Sequence, residues 1–328
     1  MQHFSYVIIG AGVCGLAAAS VLSPQHTKII EKSRGPGGRL SSKRLGERRA
    51  DIGAQFITVR DPIFTEVLNR AEIAGAVARW TPVMARLTPE GLVASPDRHP
   101  RYVGAPYMNA FGRFLAKDHA ITTETRVASI HADPKGYRLV TTDAEVFSAT
   151  NVIVTAPVNQ MQTLLADFDV SMIATGFTME PTWTVVIESN DTPCTLDGSA
   201  IDACFGGDDS VIDFVSREGS KPGRAEGLWV IHSTPEFAAT HLEREPDEIG
   251  PIIAHHVKQQ LGLNGQIVLT HRWRFARPTN PELTAQKGVY QIDQGLWIAG
   301  DYLSGGRVEG AYLAGIEVAH RALETSVD

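Results

Sequence analysis

At 328 residues the chain exceeds the size, about 250 to 300 residues, at which a single hydrophobic core stops growing, so two lobes sharing a cleft are expected. Its 43% apolar and 20% charged content excludes a disordered chain, and a net charge of −7 with no Lys/Arg run beyond Lys43-Arg44 and Arg48-Arg49 excludes a nucleic-acid surface. Three cysteines without CxxC spacing, no HExxH among eleven histidines and no long apolar window exclude a disulfide framework, a metal site and a membrane span, and a reducing cytoplasm fits.

Tyr6 to Ile9 is a short β-branched run that ends in Gly10-Ala11-Gly12-Val13-Cys14-Gly15, after which Leu16 to Leu22 reads helical and stops at Ser23-Pro24. This stretch has no basic leader and its glycines fall at motif spacing, so a βα turn is expected and not a signal peptide. Thr27 to Ile30 is a second buried-type strand, closed by Glu31 about 20 residues after the first glycine. Such glycines let backbone N–H groups and a helix N-terminus approach a pyrophosphate, and Glu31 can accept ribose hydroxyls. An acid there disfavours a 2′-phosphate, so FAD or NAD is the expected resident dinucleotide.

Gly35-Pro36-Gly37-Gly38-Arg39 reads as a glycine-permitted loop with a guanidinium beside it, which a pyrophosphate can use. Asp51-Ile52-Gly53-Ala54-Gln55-Phe56 is a turn running into an apolar segment; on spacing alone an ordinary β-turn explains it as well. From Asp61 to about Arg101 an excursion carries a helix over Ile63 to Ala71, and Met108 to Lys117 is a further helix. Arg126 to His131 and Tyr137 to Thr142 alternate as a hairpin about Asp133-Pro134-Lys135-Gly136, and Asn151 to Ala156 is a buried strand. Strands over Thr182 to Ile187, Val211 to Val215 and Leu228 to Ser233, with a helix over Glu248 to Leu261, form the second lobe. Trp183, Phe205, Phe214, Trp229, Trp273 and Phe275 can line a pocket for a flat ligand, although core packing explains each as well. Leu296 to Asp301 is a strand closing on Gly-Asp, and a helix begins near Val308 with Ala311, Ala314, Gly315, Val318, Ala319 and Ala322 on one face. Asp301 can bond a ribityl hydroxyl, and the helix N-terminus can face the negative charge of a reduced flavin.

The GxGxxG with its acid, the GGR loop and the Gly-Asp-loop-helix element together resemble the amine-oxidase-like flavoprotein superfamily, and within it the renalase family, over nearly the whole length. The Trp273-Arg274 strand and the run from Gly305 to Ala311 strengthen the resemblance. It implies an α/β fold: a Rossmann-type FAD-binding domain with a second α+β substrate domain, of amine-oxidase-like or p-hydroxybenzoate-hydroxylase-like topology. The expected division is 1–60, 101–158 and 280–328 for FAD, with 61–100 and 159–279 for the substrate. The residues implied to touch FAD are Gly10, Gly12, Gly15, Glu31, Lys32, Gly38, Arg39, Gln55, Val127, Asp301 and Val308, with Val127 meeting the adenine through its backbone. No cysteine follows Cys204, so the FAD is expected to be noncovalent.

The implied reaction is oxidation of the 1,2- or 1,6-dihydro isomers of NAD(P)H to NAD(P)+, a metabolite repair that yields H₂O₂. Its partners are the dihydronicotinamide dinucleotide and O₂. Gln55, Trp273 and Arg274 are the candidates for the catalytic cavity, chosen by their place beside the flavin motifs. A small amine or porphyrinogen-type oxidase, or a nonenzymatic FAD-binding sensor, shares every one of these motifs. An NAD-dependent dehydrogenase leaves the GGR and Gly-Asp-helix elements without a role.

Overall fold

Val7, Ile8 and Ile9 are β-branched, covered on both faces, and run as the strand His3–Ile9, as a parallel central strand requires. The computed structural model describes residues 2–95, 99–171, 176–208, 210–279 and 288–325. Among them an eight-stranded sheet orders Ile121–Thr122, Thr27–Ile30, His3–Ile9, Val146–Val154, Gly136–Thr141 and Val127–Asp133, with Leu296–Ala299 and Val289–Asp293 joining as a branch. Val146–Val154 is the branch point. One edge carries His3–Ile9 in parallel; the other carries Gly136–Thr141 antiparallel on its first half and Leu296–Ala299 in parallel at its end.

The helix Val13–Val21 and the C-terminal helix Val308–Glu324 pack together on this sheet. A Cβ on Gly315 would stand 2.2 Å from the Cys14 carbonyl oxygen, so only glycine permits this approach. The small face expected on the C-terminal helix is the buried one.

A seven-stranded sheet orders Gln266–Pro278, Met179–Glu188, Leu228–Ser233, Ile212–Arg217, Ala203–Phe205, Met84–Thr88 and Gly91–Ala94. Its face buries Trp183, Val185, Ile187, Trp229 and Ile231 against the helix Pro246–Leu261. That helix is closed by a capping box at Glu245 and Glu248 and by left-handed Gly262.

The excursion 61–100 is shared between the two sides. The helix Pro62–Ile73 buries Phe64, Val67, Leu68 and Ala71 in the same core as the first and last helices, because its apolar stripe meets Tyr312 and Phe111. A three-stranded sheet of Ile57–Thr58, Arg101–Gly104 and Val77–Trp80 crosses the expected boundaries at 60 and 100. The expected boundary at 280 lies outside the described residues.

Candidate active site

Gly10 takes φ +104°, a left-handed value that favours glycine, and turns the chain from strand into helix. A Cβ on Gly15 would lie 2.0 Å from the Gly10 carbonyl oxygen, whereas one on Gly12 would meet nothing within 4 Å. Gly12 therefore marks open space at the N-terminus of a helix that has no side-chain cap. The C-terminal helix also begins without a side-chain cap, at Arg307 and half-buried Val308. Glu31 is buried; its Oε2 accepts from Ala11 N at 2.8 Å and its Oε1 from Ser33 N at 2.7 Å, leaving lone pairs for a ribose.

The GGR loop closes over this turn. Gly37 N donates to the Ala11 carbonyl, and a Cβ on left-handed Gly38 would come within 3.4 Å of the Gly12 Cα. Ala54 N donates to the Arg39 carbonyl and Ile52 N to that of Ser41, so the loop is zipped to the segment 52–54. Arg39 and Asp301, expected to serve a pyrophosphate and a ribityl chain separately, form a two-point ion pair, and Arg39 also donates to the Ala276 carbonyl at 2.9 Å. Open glycine backbone, two uncapped helix N-termini, a buried acid with spare lone pairs and a fixed ion pair between them fit a dinucleotide cofactor.

Gly53, Ala54, Gln55, Phe56, Phe205, Asp213, Phe214, His232 and Arg277 line a cavity of about 380 Å³ between the segment 53–56 and the seven-stranded sheet. Phe56 and Phe205 each pack on Phe214, with centroids 5.6 and 5.2 Å apart. Arg277 reaches Glu180 at 3.3 Å and Asp213 at 3.0 Å. Burial pushes the Asp213 carboxyl above its ordinary range, and Arg277 only partly offsets this.

Three side chains donate to the Ile52 carbonyl: Thr184 Oγ1 at 2.9 Å, Trp273 Nε1 at 3.0 Å and His232 Nε2 at 3.2 Å. A carbonyl oxygen only accepts, so His232 carries its ring proton on Nε2. Burial pushes this histidine down to about 4, with Lys221 and Arg277 adding to the effect, and it is neutral at pH 7.

Behind Gln55 sits a buried quartet of charges. Lys221 Nζ donates to Glu218 at 2.5 Å, and Arg224 Nη1 donates to Glu218 at 2.5 Å and is ion-paired with Asp51 at 2.5 Å. Gln55 is locked onto it, its Oε1 accepting from Lys221 at 2.9 Å and Ser216 at 2.7 Å, its Nε2 donating to the Asp51 carbonyl at 2.5 Å and to that of Gly53 at 3.0 Å. Burial and the neighbouring Glu218 raise Asp51. Burial opposes ionisation of Glu218 too, but Lys221 and Arg224 outweigh it and hold that carboxyl low.

Of the three cavity candidates, only Gln55 lines the cavity. Trp273 stands one layer back, packed with Ile52, Val186 and Val230, and donates to the Ile52 carbonyl. Arg274 points from the opposite face of the same strand, as strand alternation dictates, and pairs with exposed Glu243 at 2.6 Å. Among the nominated aromatics, Phe205 and Phe214 reach the cavity, while Trp183 and Trp229 are core and Phe275 packs with the first sheet. Lys32 is exposed and donates to Gln160 at 2.8 Å; Val127 is half-buried beside Thr141. Sequence reasoning missed His232, Asp213, Arg277, Lys221, Arg224 and Glu218; a histidine inside the otherwise apolar strand Leu228–Ser233 was the one signal available. It also missed Glu309, whose Oε1 accepts from Arg60 N and Asp61 N and ties the C-terminal helix to that loop.

Residues 101–323, more than half of the chain, match the family described as flavin containing amine oxidoreductase, and residues 8–71 match the NAD(P)-binding Rossmann-like domain. An opine oxidase component from Rhizobium meliloti (strain 1021) is 29% identical over 104 residues, which is 30% of this chain and 22% of that relative. A doubly substituted putrescine oxidase superposes over 98% of this chain and 99% of its own with a TM-score of 0.75 at 13% identity. A putative protoporphyrinogen oxidase from Exiguobacterium sp. 255-15 does so over 99% and 100% with a TM-score of 0.74 at 13% identity. At such identities the likeness speaks for the fold: a Rossmann-like nucleotide unit with an amine-oxidase substrate unit.

Proposed function

Because the chain belongs to the family of flavin containing amine oxidoreductases, we propose that it is an FAD-dependent oxidase of misreduced 1,2- and 1,6-dihydro isomers of NAD(P)H, the activity implied by the renalase resemblance. The observation that carries the reading is the cavity wall: a cluster of Phe56, Phe205 and Phe214 offers a flat ring an apolar surface, and the cavity histidine is neutral and tied to a backbone carbonyl. Oxidation of a dihydropyridine is driven by aromatisation and needs no general base, so these residues have only to hold and orient the ring. Bound FAD would supply the hydride acceptor, and O₂ would then take up the electrons to give H₂O₂.

In this reading Gly10, Gly12, Gly15 and Gly38 take the pyrophosphate, Glu31, Lys32 and Val127 the adenosine half, and Arg39, Asp301 and Val308 the ribityl and ring end. Residues 1–60, 101–158 and the C-terminal segment form the FAD unit, joined by the helix Pro62–Ile73. FAD is held noncovalently in this reading, since no cysteine follows Cys204 to attach it, and burial pushes the Cys14 thiol well above its ordinary range. The enzyme works in the cytoplasm. The second reading is amine oxidation, favoured by the aromatic wall of Phe56, Phe205 and Phe214, which suits a neutral amine.

Anaerobic mixing of the yellow holoprotein with borohydride-reduced NAD+, authentic NADH and an aliphatic amine separates these readings. Rapid bleaching by the isomer mixture alone, with NAD+ as product, is expected. Bleaching by the amine overturns the proposal in favour of the second reading, and bleaching by none of them points to a sensor.

A further inference from the structure

His232 lines the cavity with one ring nitrogen already assigned: Nε2 donates to the Ile52 carbonyl. Gln55 Nε2 lies 3.5 Å from the same nitrogen, but both are donors, so this is a contact and not a competing bond. With Nε2 protonated, Nδ1 is an acceptor, and among the described residues it has no partner. Of the other polar side chains of the wall, Gln55 is held by the ion quartet and its own backbone, and Arg277 and Asp213 are paired with each other as an ion pair. Among the side chains of this wall, His232 Nδ1 is thus a neutral acceptor beside Phe56, Phe205 and Phe214.

Resting on the dihydronicotinamide reading, we infer that His232 Nδ1 accepts a hydrogen bond from the substrate's carboxamide N–H, fixing which way the ring faces. The site thereby selects for a primary amide on the ring and against a carboxylate, which has no N–H and turns a negative charge toward the Nδ1 lone pair. Protonation would destroy this acceptor, and burial keeps the imidazole neutral.

The test uses the oxidised holoprotein and reads the flavin difference spectrum on titration with NAD+ and with nicotinic acid adenine dinucleotide, which carries a carboxylate in place of the amide. The native protein is expected to prefer NAD+ by about tenfold, the scale of one buried hydrogen bond. His232→Phe should bind both equally while keeping its FAD; His232→Asn, which brings an amide oxygen near the Nδ1 position, should recover part of the preference. If His232→Phe loses its FAD, His232→Asn decides alone, and its recovery of the preference supports the assignment. Preference retained in His232→Phe, or lost in His232→Asn, overturns the assignment while leaving the dihydronicotinamide reading in place. A native protein that binds neither dinucleotide overturns both.

Discussion

The nucleotide side of the site is made of backbone and the cavity side of side chains. On the first, Gly10, Gly12, Gly15 and Gly38 bring open main chain and an uncapped helix together within some 30 residues of sequence. On the second, Gln55, Phe205, Asp213, His232 and Arg277 come from distant segments, and a buried quartet of charges behind them holds Gln55 in place. The first tolerates no added atom at Gly10 or Gly15, while the second depends on partners that can be lost.

The largest expected effect lies on the backbone side. Gly15→Ala puts a methyl 2.0 Å from the Gly10 carbonyl oxygen and should yield colourless protein, checked by the flavin absorbance of the purified variant. A yellow, folded variant would show that the turn is not the cofactor's cradle.

On the side-chain side, Lys221→Met leaves Glu218 and Asp51 facing one cation in place of two, inside the protein. Breaking a buried pair costs about 3–5 kcal/mol, so chemical denaturation should show a loss of that order, and Glu218→Gln in the same chain should restore part of it. An unchanged midpoint would mean that the quartet is already internally neutralised.

A third expectation is a pH dependence. His232 is neutral in the folded state until about pH 4 but titrates near its ordinary 6.5 when unfolded. Its contribution is complete above pH 6.5 and is lost as the pH falls toward 4, by at most about 3 kcal/mol since one ring edge opens on the cavity. His232→Phe should flatten this part of the stability profile. The smallest effect belongs to Arg274→Ala: its surface pair with Glu243 is solvated, and neither the flavin spectrum nor stability should change measurably.

This contrast also explains what can be read in advance. The βαβ turn, the Glu31 strand end, the Gly-Asp element and the small face of the last helix follow from local periodicity and glycine spacing, and the structure has each of them. Leu228–Ser233 is legible to the residue as a strand, but which of its side chains meets a cavity depends on the sheet's neighbours. Lys221 and Arg224 look like any polar turn; with their neighbour Glu218 they are buried against Asp51, which arrives from a segment some 170 residues earlier. Trp273 and Arg274 are neighbours on one strand, and adjacent strand residues point to opposite faces, so at most one of them could approach the site.

The contact between Gly315 and Cys14 joins residues about 300 positions apart, a separation that weighs on how the chain folds. The strand Leu296–Ala299 and the helix behind it join the first sheet and cover the first helix, so the glycine turn is enclosed by residues nearly 300 positions further along the sequence. Until they pack there the Ala-rich flank of the first helix is bare to water and to other chains, and loop closure over this distance must precede its burial. If the enclosed turn is where the flavin sits, refolding by dilution should regain secondary structure well before it regains tightly held flavin.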